Sequence, residues 1–369
     1  MVRAAVVRQA GADVVIEDVV VPEPGAGEVR VRVAAAGVCH SDLSFTNGTV
    51  RPQFPVVLGH EASGTVMSVG DGVTRWAPGN RVVLNWAPAC GDCWFCAAGE
   101  PWLCRTVERA GVTAPRGALR DGTPVHIALG VGAFAEQVVV PQHALVALPD
   151  GVPLDLAALL GCAVLTGVGA VQNAARVQPG QSVAVIGLGG IGLSVVAGAR
   201  LAAAGAIIGV DLSATKEPLA RAQGATDFVV PGEALPKQIR ALTGGRGADH
   251  VFECVGRAAT IRSAWEATRR GGECTVVGLG RRDDMLSFNA LEILHFARTL
   301  RSSLYGSGDP DREIPALCGH VLDGSLDLAS LVTHRVDLTG LPEAFDRMRR
   351  GEGARSVVVL DPAGATAVA

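Results

Sequence analysis

The sequence predicts an α/β chain: a doubly wound parallel-sheet domain inserted within a mainly β, antiparallel one. Three observations carry this. Residues 183–192, VAVIGLGGIG, are an apolar run ending in a glycine-rich turn, as a parallel strand buried on both faces reads. Strand candidates at 207–210, 227–230, 250–253 and 274–278 alternate with Ala-rich helical stretches, the rhythm of βαβ units. Residues 29–35 instead alternate Val31, Val33 and Ala35 with Arg30 and Arg32, the mark of a strand with one wet face.

In the turn, Gly187, Gly189 and Gly192 hold the G-x-G-x-x-G positions. The first permits the tight turn, the second close approach of a pyrophosphate, and the third close packing of the next helix. That helix points its positive end and unpaired N–H groups at the phosphates. Asp211 closes the second strand 19 residues after Gly192, where an acidic group accepts hydrogen bonds from a ribose. The alternative makes Asp211 a loop or cap residue beside Ser213. Leu212, Ser213 and Ala214 offer no cation for a 2′-phosphate, which favours NAD over NADP.

Along the chain, strands are expected at 4–7, 14–16 and 29–35, with turns at Pro22-Glu23-Pro24-Gly25 and Gly37. The pattern turns helical over 149–161 and becomes mixed again after Tyr305. An amphipathic helix at 341–349 precedes a strand at 356–360, and the tail to Ala369 is small-residued and loose. The outer domain is placed at 1–163 and 305–369, the inserted domain at 164–304. Cys254, Cys274 and Cys318 read as buried small residues, the first two in strands.

With 369 residues, 49% hydrophobic and 18% charged, the chain has the composition of a globular protein with room for two domains. Its net charge of −4 gives no footing for non-specific nucleic-acid binding. Two of its 32 basic residues are lysine, so the arginine excess reflects codon bias rather than chemistry. No run reads as membrane-spanning, and the N-terminus lacks a signal-peptide core. A cytoplasmic location is the default expectation. Nine cysteines in a reducing compartment point to metal ligands before disulfides.

Cys90, Cys93, Cys96 and Cys104 form C-x2-C-x2-C-x7-C within a lobe at about 88–106. Four thiolates close a tetrahedral zinc shell, so this site is structural; an iron–sulfur cluster is the competing occupant. A second set is dispersed: Cys39 in GVCHSD, His60 and Glu61 in GHE, and Cys162 in LLGCAV. Singly each is ambiguous. Together Cys39, His60 and Cys162 match the Cys2His set with an open fourth position, for which alcohol dehydrogenase is the standard example. Asp42 is placed to fix the tautomer of His60, and Glu61 to tune the metal.

With GVCHSD, GHEASG, the four-cysteine lobe, GLGGIG, Asp211 and FECVGR at 252–257, the chain resembles the zinc-dependent medium-chain alcohol dehydrogenases over essentially its full length. VVLNWAPACGDC, EPWLC, LLGCAV, RSSLYG and ARSVVVL look closest to the actinobacterial thiol-dependent formaldehyde dehydrogenases of the mycothiol type. The resemblance implies a GroES-like catalytic domain plus a Rossmann cofactor domain, NAD, and two zinc ions per subunit. It implies that Cys39, His60 and Cys162 hold the catalytic zinc and Cys90, Cys93, Cys96 and Cys104 the structural one. Ser41 then receives the substrate proton, and Asp42 and Glu61 support the site. His40 and Arg355 contact the pyrophosphate, with Gly187, Gly189, Gly190 and Gly192. Asp211 and Lys216 bind the adenosine ribose, and Thr166, Ile191, Val255, Val277 and Leu279 complete the cofactor site. Trp86 and Phe134 line the substrate channel. Residues 285–305 form a homodimer contact, with a tetramer as the alternative.

One departure stands out. Many relatives carry a histidine five residues after the first zinc cysteine, at the end of a proton relay; here it is Ser44. Serine is no base near pH 7, so the proton must leave through water or another group. The expected substrates are a small alcohol and its aldehyde or ketone, or the hydroxymethyl or S-nitroso adduct of a low-molecular-weight thiol that Arg116 and Arg120 would meet. A protein with non-exchanging NAD, and a non-catalytic nucleotide binder, are the remaining alternatives.

Overall fold

A computed structural model describes residues 1–50, 52–106, 114–232 and 234–361; the tail beyond 361 lies outside them. The chain divides into two compact units, one of Met1–Cys162 with Asp309–Ala369 and the other Ala163–Gly308.

The first unit is built on two sheets. One runs in the order Ala118–Leu119, Val15–Val20, Val2–Val7, Val56–Val57, His126–Ile127. The other runs Leu145–Ala147, Arg81–Leu84, Ala62–Val69, Glu28–Gly37, Arg355–Val359, Val332–Val336, with Gln137–Pro141 also paired to Glu28–Gly37. Most pairings are antiparallel, but Val56–Val57 with His126–Ile127 and Val332–Val336 with Arg355–Val359 are parallel. In Glu28–Gly37, Val29, Val31 and Val33 are fully buried as the alternation requires. Two register irregularities, at 30/31 and 33/35, then break the period, and Ala34 to Gly37 are all buried. The reason is what packs on this end of the strand: the helical segments Leu154–Ala157 and Ala158–Gly161 lie against it, while Arg355–Val359 pairs along its edge, Val357 opposite Gly37.

The second unit holds six strands in the order Asp227–Val229, Ala206–Val210, Ser182–Ile186, Ala248–Glu253, Thr268–Val276, Thr299–Ser302. All five pairings are parallel. In chain order this is 3-2-1-4-5-6, so the crevice where the order reverses lies at the carboxyl ends of Ser182–Ile186 and Ala248–Glu253. Helix Gly190–Leu201 follows the first strand, with nine of its residues buried. It packs on helix Ala163–Gly169, where a Cβ on Gly167 would stand 2.5 Å from Ser194 Cβ. Cys274 and Cys318 are fully buried. Cys254 differs from expectation, standing one residue past its strand and half-buried.

Candidate active site

The dispersed donors are assembled by strand register. Ala36 pairs with Ala62 across Glu28–Gly37 and Ala62–Val69, so Cys39, just past one strand, and His60, just before the other, emerge side by side. Cys162 arrives from the helical stretch Ala158–Gly161. There a Cβ on Gly161 would stand 2.8 Å from the Leu84 carbonyl oxygen, so only glycine lets the segment lie this close. The three ligand atoms lie within 4.8 Å of one another, and all three residues are buried.

Asp42 is the hub of this arrangement. Helix His40–Thr46 starts at Cys39, and Asp42 in its first turn accepts the Cys39 N–H at 3.1 Å, half of a capping box. Its other oxygen accepts the Gly59 N–H at 3.1 Å and faces His60 Nδ1 at 3.1 Å. Holding the proton on Nδ1 leaves Nε2 with its lone pair for a metal. Burial alone would lower the His60 pKa, but Asp42 and then Cys39 outweigh it and raise it well above the usual imidazole value. Cys39 is held well below the ordinary thiol range, first by a hydrogen bond with Cys162, while Cys162 is pushed well above it by the same bond and by burial. Two buried thiols and a buried imidazole with ligand atoms this close are the soft-sulfur and nitrogen donors that zinc takes, so the chemistry of the set fits zinc.

Glu61 pairs with Arg355 at 3.0 Å; both are buried, and both charges are felt at the Cys162 thiol. Arg355 also donates to the Val38 carbonyl at 2.8 Å, tying the C-terminal strand to the turn before Cys39. A Cβ on Gly37 would meet Glu61 Cδ at 2.7 Å, so the glycine makes the room that Glu61 occupies. Gly59 was missed by the sequence reading, and Gly37, read there as a turn, ends the strand Glu28–Gly37 and makes room for Glu61. Their signal was present: they stand one residue before Val38-Cys39 and directly before His60.

Ser41 Oγ lies 3.8 Å from Cys39 Sγ. Ser44 donates to the His40 carbonyl at 3.2 Å, and His40 is exposed. The Trp86 ring stands edge-on to His60, centroids 6.4 Å apart. Phe134 requires a correction: it is fully buried and packs against Phe345, so it belongs to the core and presents no surface to a substrate. Arg116 forms an ion pair with Glu28.

In the lobe, the sulfurs of Cys90, Cys93, Cys96 and Cys104 also lie within 4.8 Å of one another. Cys93 Sγ is 3.5 Å from Cys96 Sγ and 3.8 Å from Cys104 Sγ. A tetrahedron with zinc–sulfur bonds of about 2.3 Å has edges of about 3.8 Å, whereas a disulfide would need about 2 Å. The Cys90 and Thr106 N–H groups and the Thr106 hydroxyl point at Cys104 Sγ. Backbone N–H groups of Arg105 and Cys96 hold the Cys93 thiol down to about 6.

In the second unit the glycines divide their roles as their surroundings dictate. Gly187 has φ +90°, and Gly192 comes so close to the Gly187 carbonyl that a Cβ would stand 1.8 Å from its oxygen. A Cβ on Gly189 would meet nothing within 4 Å, so open space lies above the start of the helix. Gly190 and Ile191 form its first turn. Asp211 accepts the Leu188 N–H at 2.8 Å and the Ser213 N–H at 3.0 Å, one on each oxygen, and a second lone pair remains on each. Lys216 is buried, and burial lowers its pKa against the pull of Asp211. Thr166 is buried; Val255 and Leu279 are exposed, and Val277 is half-buried.

Two family models match the chain: "Alcohol dehydrogenase GroES-like domain" over residues 25–150 and "Zinc-binding dehydrogenase" over 190–321. The chain is 39% identical to alcohol dehydrogenase class-3 of Drosophila melanogaster, over 96% of this chain and 97% of that one. It is 38% identical to the S-(hydroxymethyl)glutathione dehydrogenase of Escherichia coli strain HS, over 96% and 99%. Among solved structures, an alcohol dehydrogenase zinc-binding domain protein from Burkholderia ambifaria superposes with a TM-score of 0.91 at 33% identity, covering 97% and 98%. The chain therefore belongs to the zinc-dependent medium-chain alcohol dehydrogenases, oxidoreductases that interconvert alcohols and carbonyl compounds with a nicotinamide cofactor.

Proposed function

We propose that the reaction takes place at Cys39, His60 and Cys162, with NAD(H) held by the glycine turn and Asp211. The observation that carries this reading is the three-donor set itself: buried, with ligand atoms within 4.8 Å, and one donor short of a tetrahedron. When bound, zinc polarises a substrate oxygen and NAD takes or gives the hydride. The chain's own residues do the rest. Asp42 keeps His60 in its ligating tautomer. Ser41 Oγ, beside the donor set, takes or returns the substrate proton. With Ser44 at the relay end, that proton passes to water. Trp86 shields the His60 side from solvent, and Glu61 with Arg355 fixes the turn that carries Cys39.

Within this activity we infer a substrate that is the hydroxymethyl adduct of a low-molecular-weight thiol. The full-length likeness to the two dehydrogenases above supports it, and the motif segments favour a mycothiol-type adduct. The assay is NADH formation from simple alcohols, and from formaldehyde with and without glutathione or mycothiol. Formaldehyde oxidation that requires thiol is the expected result; thiol-independent turnover of simple alcohols alone would leave only the general activity. We further infer a homodimer through Thr299–Ser302, which is paired on one side only and exposed along its length. Leu291 and Leu294 beside it are 70% and 80% exposed.

A further inference from the structure

Glu253 ends the strand on the far side of the crevice from Asp211. Strand Ser182–Ile186 lies between Ala206–Val210, which leads to Asp211, and Ala248–Glu253. Each half of such a sheet takes one mononucleotide. Asp211 marks the adenosine half, so Glu253 stands on the nicotinamide half.

Its side chain is fully buried, yet its partners among the described residues are N–H and hydroxyl groups rather than a cation. The carboxylate accepts the Val255 N–H at 2.9 Å, the Gly256 N–H at 2.9 Å, and the Thr260 hydroxyl at 2.7 Å. Thr260 lies in the first turn of helix Ala258–Ala267, whose positive end favours an anion there. Burial pushes the carboxyl pKa up, and the Thr260 and loop hydrogen bonds oppose it. The Glu253 carbonyl meanwhile accepts the Val277 and Gly278 N–H groups at 2.8 and 3.0 Å. One residue thus ties down two loops, 254–256 and 277–279.

Those loops press on each other and on the glycine turn. A Cβ on Gly278 would stand 2.2 Å from Gly256 N, one on Gly256 2.4 Å from the Leu279 carbonyl oxygen, and one on Gly187 2.6 Å from Val255 Cγ2. Val255 and Leu279, carried on these loops, are 43% and 59% exposed. Apolar side chains left open at the mouth of a crevice, on loops anchored by one buried residue, form a rigid platform for a flat ring.

We propose that the Glu253 carboxylate is a positioning group that sets affinity for the nicotinamide half of the dinucleotide by fixing loop 254–256, against which loop 277–279 packs through Gly256 and Gly278. It touches no substrate and acts through Val255, Val277 and Leu279. This rests on the NAD reading above, and the test separates the two.

The test compares binding of NADH with binding of ADP-ribose, which lacks the nicotinamide, to the zinc-replete full chain by calorimetry. Glu253→Ala should weaken NADH by about tenfold, the size of one lost charge-assisted hydrogen bond, and leave ADP-ribose within about twofold. Glu253→Gln, which keeps an acceptor oxygen, should recover most of the loss. In turnover the KM for NAD should rise with kcat nearly unchanged. Equal weakening of both ligands, or unchanged NADH binding, would overturn the assignment. Should the alanine variant not fold, Thr260→Val carries the test: NADH-selective weakening supports the proposal and unchanged NADH overturns it. Wild-type protein that bound neither ligand would instead sink the NAD reading itself.

Discussion

Asp42→Asn is the most informative single-atom change in the metal site. The carboxylate meets three donors: Cys39 N–H on one oxygen, and Gly59 N–H with His60 Nδ1 on the other, each at 3.1 Å. Asparagine offers one carbonyl oxygen and one NH2 group. With the oxygen toward Gly59 and His60, the NH2 confronts the Cys39 N–H, two donors face to face in a fully buried place. Flipped, the NH2 faces Gly59 and draws the His60 proton onto Nε2, the ligating nitrogen. The first arrangement is the milder and costs about 1–3 kcal/mol for the unsatisfied buried group. Since a metal binds only the organised site, that converts to about 5- to 150-fold in zinc affinity at 1.4 kcal/mol per decade. Losses of about 10–100-fold are typical when a residue behind a ligand is changed. Zinc per chain, followed against a graded chelator, reads the effect directly, and the four-cysteine lobe serves as an internal control. The dispersed zinc should leave at lower chelator concentration while the lobe zinc stays. If both leave together at the wild-type midpoint, Asp42 is not what organises the site.

Three other variants probe different parts of the molecule. Cys96→Ser should release the lobe zinc and lower the melting temperature while NADH binding persists; unchanged zinc content and melting would remove the lobe from the metal sites. Ser44→His should speed alcohol oxidation near neutral pH and add an ionisation near about 6.5 to the pH–rate profile, whereas an unaltered profile would show the relay position to be idle. Asp249 is held down to about 2 because the Ser182 hydroxyl and N–H and the Arg269 guanidinium overcome the effect of burial. A depressed folded-state pKa stabilises above the unfolded value, about 3.9, and that stability is lost as pH falls toward about 2. Discounted for partial exposure, it is worth about 1–2 kcal/mol. Asp249→Asn should therefore cost stability at pH 6, in urea unfolding, with the difference from wild type closing between pH 4 and pH 2 (about the two pKa values); a difference independent of pH would refute the ionic origin.

How far the sequence could be read depended on whether a signal was local. The lobe was legible because four thiols within fifteen residues cannot avoid one another. The glycine turn was legible because backbone conformation and close approach demand glycine at fixed offsets, and the contacts of Gly187 and Gly192 bear out that demand. Helix Leu341–Arg349 came out at its predicted bounds, its apolar face strictly periodic. Phe134 was misread because an aromatic residue in a core and one in a channel wall have the same local pattern. Nor could the sequence show that Arg116 pairs with Glu28, 88 residues away.

The dispersed donors show the limit most clearly. Cys39 and Cys162 are 123 residues apart, and nothing near either one specifies the other. What brings them together is negative space: Gly161 lies against the Leu84 carbonyl, Gly37 against Glu61, and Gly59 against Phe134 N, where a Cβ would stand at 2.5 Å. A glycine needed for want of room looks, in sequence, like a glycine needed for a turn. Only the neighbour distinguishes them, so periodicity can say that a residue is buried but not against what. The same reasoning explains why Glu253, an acidic residue at the end of an apolar strand, reads as a boundary until the two loops it holds are seen.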